Sequence, residues 1–516
     1  MFGTTHSPRP RGLRRSIPIA AAGLGFVLLL AGCTTSSSTD DDTSSVLTVG
    51  IASLSDADSL DPAEATTTGG YVISRQVFDT LTEFGPDGNW TPQLATAVEP
   101  GDTADVWTVT LADDATWSDG DPVTADDVVA TVKRWFAEEL PPSGSLPFID
   151  PDQVEAVDEH TVKFTLLYPT VTFPEAFTSP TTAIVPADFD PAKPIGSGPF
   201  VLSDNDPGVQ LTFTANKDYF RGAPGVDELD VVSFADATSA ASALTAGQID
   251  VDASVDPTIV DVIDGTTGYS VFDYGTSGTL TWVMNTQQAP FDDPVVRQAL
   301  RLAVDRQQLI DQVYNGYGTL GNDVFNPYDP MYDADLPQRE YDPEAAKAML
   351  EAAGYTLPLA VKLVGTDNQP TSERQNEVLV QQAAAAGFDI QYEFVDSATF
   401  YGDAYGTYPL SLSFWGFLGI FDQAAFTITA TAPYNSSHWT DPEYDALFDQ
   451  AIQTVDDTER KDLVAQMQTI EYDSGPYIVP MFLDALVGLS DDVSGATAYP
   501  NSDGAFGYNF RILSLG

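Results

Sequence analysis

Few side chains in this sequence are equipped for covalent, redox or metal chemistry: it has one cysteine and three histidines in 516 residues. The cysteine, Cys33, follows Leu30-Ala31-Gly32, an apolar run from Ile17 to Leu30, and a start carrying Arg9, Arg11, Arg14 and Arg15. A positive start, a short apolar stretch and small residues at its end make an export signal, because small residues let a peptidase close around the scissile bond. With a cysteine at the cut, the pattern is that of a bacterial lipoprotein: residues 1–32 are the signal, and the Cys33 thiol takes lipid and becomes the new N-terminus. The alternative, a membrane-spanning helix followed by an ordinary cysteine, is opposed by length, since a span needs about 20 apolar residues. Arg14-Arg15 makes a weak twin-arginine signal, because Pro18 follows and the flanking consensus is missing.

Catalytic chemistry finds little footing. The sequence has neither a Gly-x-Ser-x-Gly elbow nor a His-Glu-x-x-His zinc site. Asp473-Ser474-Gly475-Pro476 faintly resembles a serine-protease segment, but only His160 and His438 remain after the signal, and neither stands in a triad context. Among 76 acids a glycosidase-like carboxylate pair arises by composition alone. Borderline metals favour imidazole and thiolate, which are scarce here. Asp56-Ala57-Asp58-Ser59-Leu60-Asp61 could meet calcium, but lacks the glycine and distal glutamate of an EF-hand. No cofactor is expected.

Charge narrows the partner. Removing residues 1–32 takes away four arginines and no acid, leaving 17 basic against 76 acidic residues and a net charge of −59. Such a surface repels a phosphate backbone, so nucleic acid is excluded. Residues 34–45 hold only Thr, Ser and Asp, with nothing to bury, and read as a flexible tether. Without a second cysteine the mature chain has no disulfide and must rest on its core.

The elements that would position a site are legible beyond Val46. Val46–Ile51 is β-prone throughout, as a strand buried on both faces is. Pro86-Asp87-Gly88-Asn89 makes a hairpin turn, and 106–111 and 161–166 alternate as strands do. Asp293-Pro294, Asp342-Pro343 and Asp441-Pro442 mark helix starts, aspartate capping free amides and proline fitting the first position. After Asp293, apolar Val296, Leu300, Ala303, Ile310 and Val313 keep helical spacing up to Gly316, a C-cap. Leu359–Val364, a helix over 372–386 and Phe388–Val395 form a βαβ unit and hence a parallel pair. A β-rich first half and an α/β second half leave a cleft between them as the natural ligand site.

Several segments, in order, carry a resemblance: Ser59-Leu60-Asp61-Pro62, Val77-Phe78-Asp79-Thr80-Leu81, Pro92-Gln93-Leu94-Ala95, Trp117-Ser118-Asp119-Gly120-Asp121-Pro122-Val123-Thr124-Ala125-Asp126-Asp127-Val128, Gly196-Ser197-Gly198-Pro199-Phe200, Ala246-Gly247-Gln248-Ile249-Asp250 and Val296-Arg297-Gln298-Ala299-Leu300. Together they resemble the family 5 extracellular solute-binding proteins of ABC importers, the dipeptide, oligopeptide and nickel group. The resemblance implies an α/β, two-lobed, periplasmic-binding-protein-like (type II) fold with an inserted subdomain and mixed sheets flanked by helices. Its lobes would be 46–283 (insert about 86–194) and 284–482, crossed near Met284-Asn285 and Met481-Phe482, with 483–516 returning to the first. It implies a monomeric receptor, anchored outside the cell membrane, that encloses a small peptide or peptide-like solute and delivers it to a permease. Nickel, a metal chelate or an oligosaccharide is the alternative cargo, and a secreted lipoprotein hydrolase the alternative of another class.

The same resemblance supplies site candidates. Asp422 matches the aspartate that pairs with a ligand's α-ammonium, although Gly419-Ile420-Phe421-Asp422 departs from the usual Gly-Asp-Pro-Asp. Arg374 falls where some members pair with the ligand carboxylate, in the first turn of a helix whose Ser372 and Gln375 have capping-box spacing. A bidentate guanidinium there would fix ligand length. Asn285, at the crossing, would bond ligand backbone. Trp415, Phe417, Trp282 and Tyr71 either line pockets or fill core, and the loop ending at Gly69-Gly70 offers amides to an extended ligand.

Overall fold

The computed structural model describes residues 44–367, 369–502 and 504–516. The lipidation site assigned to Cys33 lies outside them. No helix among the described residues is long and apolar enough to cross a membrane.

Three sheets carry the architecture. The largest has seven strands in the order Tyr269–Gly275, Asp484–Ser490, Val251–Asp252, Val46–Ala52, Glu228–Phe234, Gln210–Ala215, Phe200–Asp206. Val46–Ala52 lies near its middle, parallel to a neighbour on each side, and Leu47 and Val49 are fully buried. Inserted between its strands is a four-stranded antiparallel sheet, Ala95–Pro100, Val106–Leu111, Thr161–Leu166, Ile149–Asp158, with the helix Ala125–Ala137 against it. The expected turn at 86–89 joins the two short strands Thr82–Phe84 and Trp90–Pro92.

The five-stranded sheet runs Phe388–Phe394, Leu359–Gly365, Leu410–Trp415, Thr279–Met284, Tyr477–Ile478. The parallel strands Leu359–Gly365 and Phe388–Phe394 are joined by the helix Ser372–Ala385, as the βαβ pattern requires. All six residues of Thr279–Met284 are buried, so the chain passes between the large sheets at 276–278, earlier than the expected 284–285. It returns at Leu483, between Met481–Phe482 and Asp484–Ser490.

Each Asp-Pro start is a helix start. Asp293, Asp342 and Asp441 each accept a hydrogen bond from a first-turn amide. The helix begun at Asp293 does not reach Gly316: Pro294–Leu302 ends, Asp305 caps again, and Arg306–Val313 follows. A local aspartate that satisfies the Gln308 amide at 2.9 Å wins over continuous periodicity.

The motif segments are largely structural. Asp79 is buried and accepts from Ser197 Oγ at 2.8 Å, Tyr219 Oη at 2.7 Å and Gln93 Nε2 at 2.9 Å. That hub ties three of the quoted stretches together and adds Tyr219 from a further one. Gly196 and Gly198 let their loop lie on the helix end at Val77, whose carbonyl accepts from the Gly198 amide at 2.9 Å; a Cβ on Gly196 would sit 1.9 Å from that oxygen. Trp117 is core, and Thr124 with Asp127 forms a capping box.

Candidate functional site

A cavity of about 620 Å³ lies between the insert, the helix Thr68–Val77, the chain end at 501–508 and the segment following the strand Leu410–Trp415. That size is within the range of small-molecule sites. One wall is made where the strand gives out: Phe417 meets Phe84 edge to face at 4.7 Å, and the chain then coils into Ile420–Gln423 and a π-type turn at Ala424–Ile428. This coil aims Asp422 at the cavity. The opposite wall presents Tyr71 and, one helical turn on, Arg75.

Asp422, half-buried, has no hydrogen bond or ion pair among the described residues. Burial, and then the nearby Asp329, push its carboxyl up to about 6. Glu175, reaching in from the insert, is raised well above the usual carboxylate range by burial and then by Asp329 and Asp422. Asp329 accepts from the amides of Met331 at 2.8 Å and Ile420 at 3.0 Å, and burial still raises it. Gly419 makes the crowding possible, for a Cβ there would stand 2.7 Å from Glu175 Oε2 and 3.9 Å from Asp329 Oδ2. Arg460 attracts Glu175 and Asp329, but it is ion-paired to Asp457 and donates to the carbonyls of Thr454 at 2.8 Å and Val455 at 3.2 Å. Glu175 and Asp422 thus line the cavity with Asp329 close by, and none of the three forms an ion pair among the described residues, an arrangement that favours a cationic guest. Arg75, the one basic residue on the cavity wall among the described residues, donates to the Thr178 carbonyl at 2.5 Å.

Of the residues singled out from sequence, the structure brings Asp422, Phe417 and Tyr71 to the cavity and leaves the others outside it. Trp282 is core: it is wholly buried, and its Nε1 donates to Asn376 Oδ1 at 2.8 Å. Asn285, also buried, donates to the Gly406 carbonyl at 3.0 Å and accepts from the Gln287 amide, so its amide is consumed inside the second body. Gly69 is required by packing, because a Cβ there would fall 1.9 Å from Asp58 Oδ2. Asp58 itself, in the would-be calcium loop, accepts from Thr67 and from the Ser55 amide. Trp415 packs against the core around Phe421 and Tyr444, with its Nε1 enclosed and unpartnered. Arg374 is exposed on the helix Ser372–Ala385, away from the cavity. Its expected capping box does not form: Thr371 is the cap, and Gln375 instead accepts from Tyr314 Oη at 2.6 Å and donates to the Leu280 carbonyl at 3.0 Å.

Sequence reasoning missed Arg75, Glu175 and Asp329. Arg75 was within reach, four residues beyond Tyr71 on the same helix face. Glu175 lies in the single-turn helix Phe173–Ala176 and Asp329 in irregular chain, stretches too short for a periodicity to point to either. Ser474 ends the helix Asp457–Ser474, donating to the Ile470 carbonyl and accepting from Arg297, so it serves packing. His438 is exposed and in contact with the Gly406 carbonyl.

The profile of bacterial extracellular solute-binding proteins, family 5 Middle, matches residues 89–438, more than half of the sequence. The chain belongs to this family. Among its relatives is Di/tripeptide-binding protein 1 of Pseudomonas aeruginosa, 28% identical over 453 residues, with 80% of this chain and 84% of that protein covered. Heme-binding protein A of Haemophilus influenzae is 27% identical, covering 84% and 86%. HbpA2 from Haemophilus parasuis superposes with a TM-score of 0.82 at 25% identity, over 91% of this family 5 chain and all of that one. The fold is thus the type II periplasmic-binding-protein fold, α/β with mixed sheets, and this family 5 member is a solute-binding protein.

Proposed function

We propose that the chain is the receptor of an ABC importer, held to the outer face of the cell membrane by lipid on Cys33, which captures a small peptide by its α-ammonium and hands it to a permease. The observation that carries this reading is Asp422, a carboxylate on the wall of a cavity of about 620 Å³ with no partner of its own among the described residues. The P. aeruginosa relative named for di- and tripeptides supports the class of cargo. In this reading one lobe is built on the seven-stranded sheet with its insert and the C-terminal segment, the other on the five-stranded sheet. The hinge is at 276–278 and Leu483, and the protein works as a monomer. A ligand that touches both lobes favours the closed pair by its differential affinity, which is what the permease would sense.

The test is calorimetry on protein stripped of co-purified cargo, with short peptides and their Nα-acetylated forms. Free peptides should bind, and acetylation should weaken them about tenfold or more, since a charge-assisted bond into a desolvated wall is lost. Absence of binding by any peptide, or indifference to acetylation, defeats the reading; so does cleavage of the peptide.

A further inference from the structure

We propose that the peptides this receptor prefers begin with a basic residue, whose side chain enters a second chamber behind Glu175. This rests on the peptide reading above and names the ligand class within it.

The second cavity, about 220 Å³, is lined in part by the same Thr172 and Glu175 that line the main one, so the two adjoin at Glu175. The insert gives it Trp90 and Trp107, and the other body gives it Phe421, Asp329, Asp457 and Arg460. Aromatic faces and carboxylates are the two surfaces that attract a desolvated cation. Arg460 does not spoil the match, because its guanidinium is already bound to Asp457 and two carbonyls.

Charge balance favours a dication over a single ammonium. Across the two cavities the four carboxylates Glu175, Asp329, Asp422 and Asp457 face two guanidinium groups among the described residues: Arg460, paired to Asp457, and Arg75, which donates to the Thr178 carbonyl. One ammonium at Asp422 answers one of the three carboxylates, Glu175, Asp329 and Asp422, that form no ion pair among the described residues. A lysine-like side chain carried on the same residue answers a second, and an aromatic cage supplies the apolar wall for its methylenes. An acidic first residue would add a fourth negative charge to a desolvated cluster. Glu175 occupies the decisive position: it arises from the insert, while Asp329 and Asp422 arise from the other body, so a dication between them joins the two.

The experiment compares Lys-Ala-Ala, norleucine-Ala-Ala, Ala-Ala-Ala and Glu-Ala-Ala on the full mature protein by calorimetry at neutral pH. The lysine peptide should bind about tenfold tighter than the norleucine and alanine peptides, with the glutamate peptide weakest, as expected for a partly desolvated cation with aromatic and carboxylate neighbours. Glu175→Gln should shrink the lysine-over-norleucine ratio, a readout that general damage to the cavity would not move selectively. Should that variant fold poorly, the wild-type series decides alone. Equal affinities of the lysine and norleucine peptides would overturn this inference while leaving the peptide reading standing. Failure of all four peptides would bring down both.

Discussion

Asp323 and Asp422 belong to the same half of the molecule and are both sunk among its side chains, yet they are compensated in opposite ways. Asp323, fully buried, is ringed by Arg306 at 2.7 Å, Arg339 at 2.6 Å and Arg301 at 3.8 Å, and it also accepts from the Val479 amide. Burial pushes its carboxyl up, but the three guanidinium groups outweigh that and hold it below the ordinary range. Arg301 spends its remaining donors on the carbonyls of Glu471, Tyr472, Gly475 and Tyr477. The Asp323 carboxylate is thus answered internally. Around Asp422 the neighbours are Glu175 and Asp329, and the carboxyl rises instead of falling. A chain with so few basic residues has concentrated three of them on a site that holds the fold and left the cavity wall negative.

The contrast should break most visibly at Asp323. Replacing it by Asn leaves three arginines around an uncharged group, and losing one partner of a buried ionic cluster costs about 3–5 kcal/mol. Denaturant unfolding should register that loss, and a decrease under 1 kcal/mol would mean the arginines are satisfied by carbonyls alone. At Asp422 the same exchange to Asn should act on binding instead: peptide affinity falls about 10- to 100-fold, or ~1.4–2.8 kcal/mol, while unfolding stability holds or rises slightly because a like charge is gone. A variant that binds as tightly as wild type in calorimetry would remove Asp422 from the site.

Titration sharpens the comparison further. Asp422, Asp252 and Asp484 are raised to about 6 and Glu471 to about 7, in each case chiefly by burial. A carboxyl that titrates higher in the folded than in the unfolded chain adds stability below the unfolded value near 4, and that stability fades as pH climbs through the folded value. The ligand-free protein should therefore melt at a higher temperature at pH 5 than at pH 7.5. Peptide affinity should run the other way, rising from pH 5 to 7 as Asp422 ionises. A melting temperature that climbs steadily to pH 7.5 contradicts the assignment. The smallest effect is expected at Arg374: it is exposed and away from the cavity, so Arg374→Gln should move both affinity and stability by no more than about 0.5 kcal/mol.

Much of the fold was readable along the chain because its signals are local. The aspartate caps at 293, 342 and 441, the βαβ unit and the turn at 86–89 each need only neighbouring residues to form. The ordered motifs were readable too, and Asp79 explains why: its partners Gln93, Ser197 and Tyr219 come from separate stretches that must all be kept for one buried hub to close. The site was less legible. Asp422, Phe417 and Tyr71 line the cavity, whereas Trp282 and Asn285 have chemistry suited to a ligand and spend it on Asn376 and Gly406. Residue type cannot distinguish a polar group that meets a guest from one satisfied inside the fold.

Sequence alone determined the class of this protein: an acidic, cysteine-poor chain with capped helices and the motif order of family 5, all of which depend on neighbours in the chain or on total charge. Only the tertiary structure decided which charges are answered. Glu175, Asp329 and Asp422 are far apart in sequence, and their mutual repulsion exists only once the insert, the loop carrying Asp329 and the segment after Leu410–Trp415 are folded together. Desolvation and Coulomb energy depend on distance through space, and that distance is set by packing.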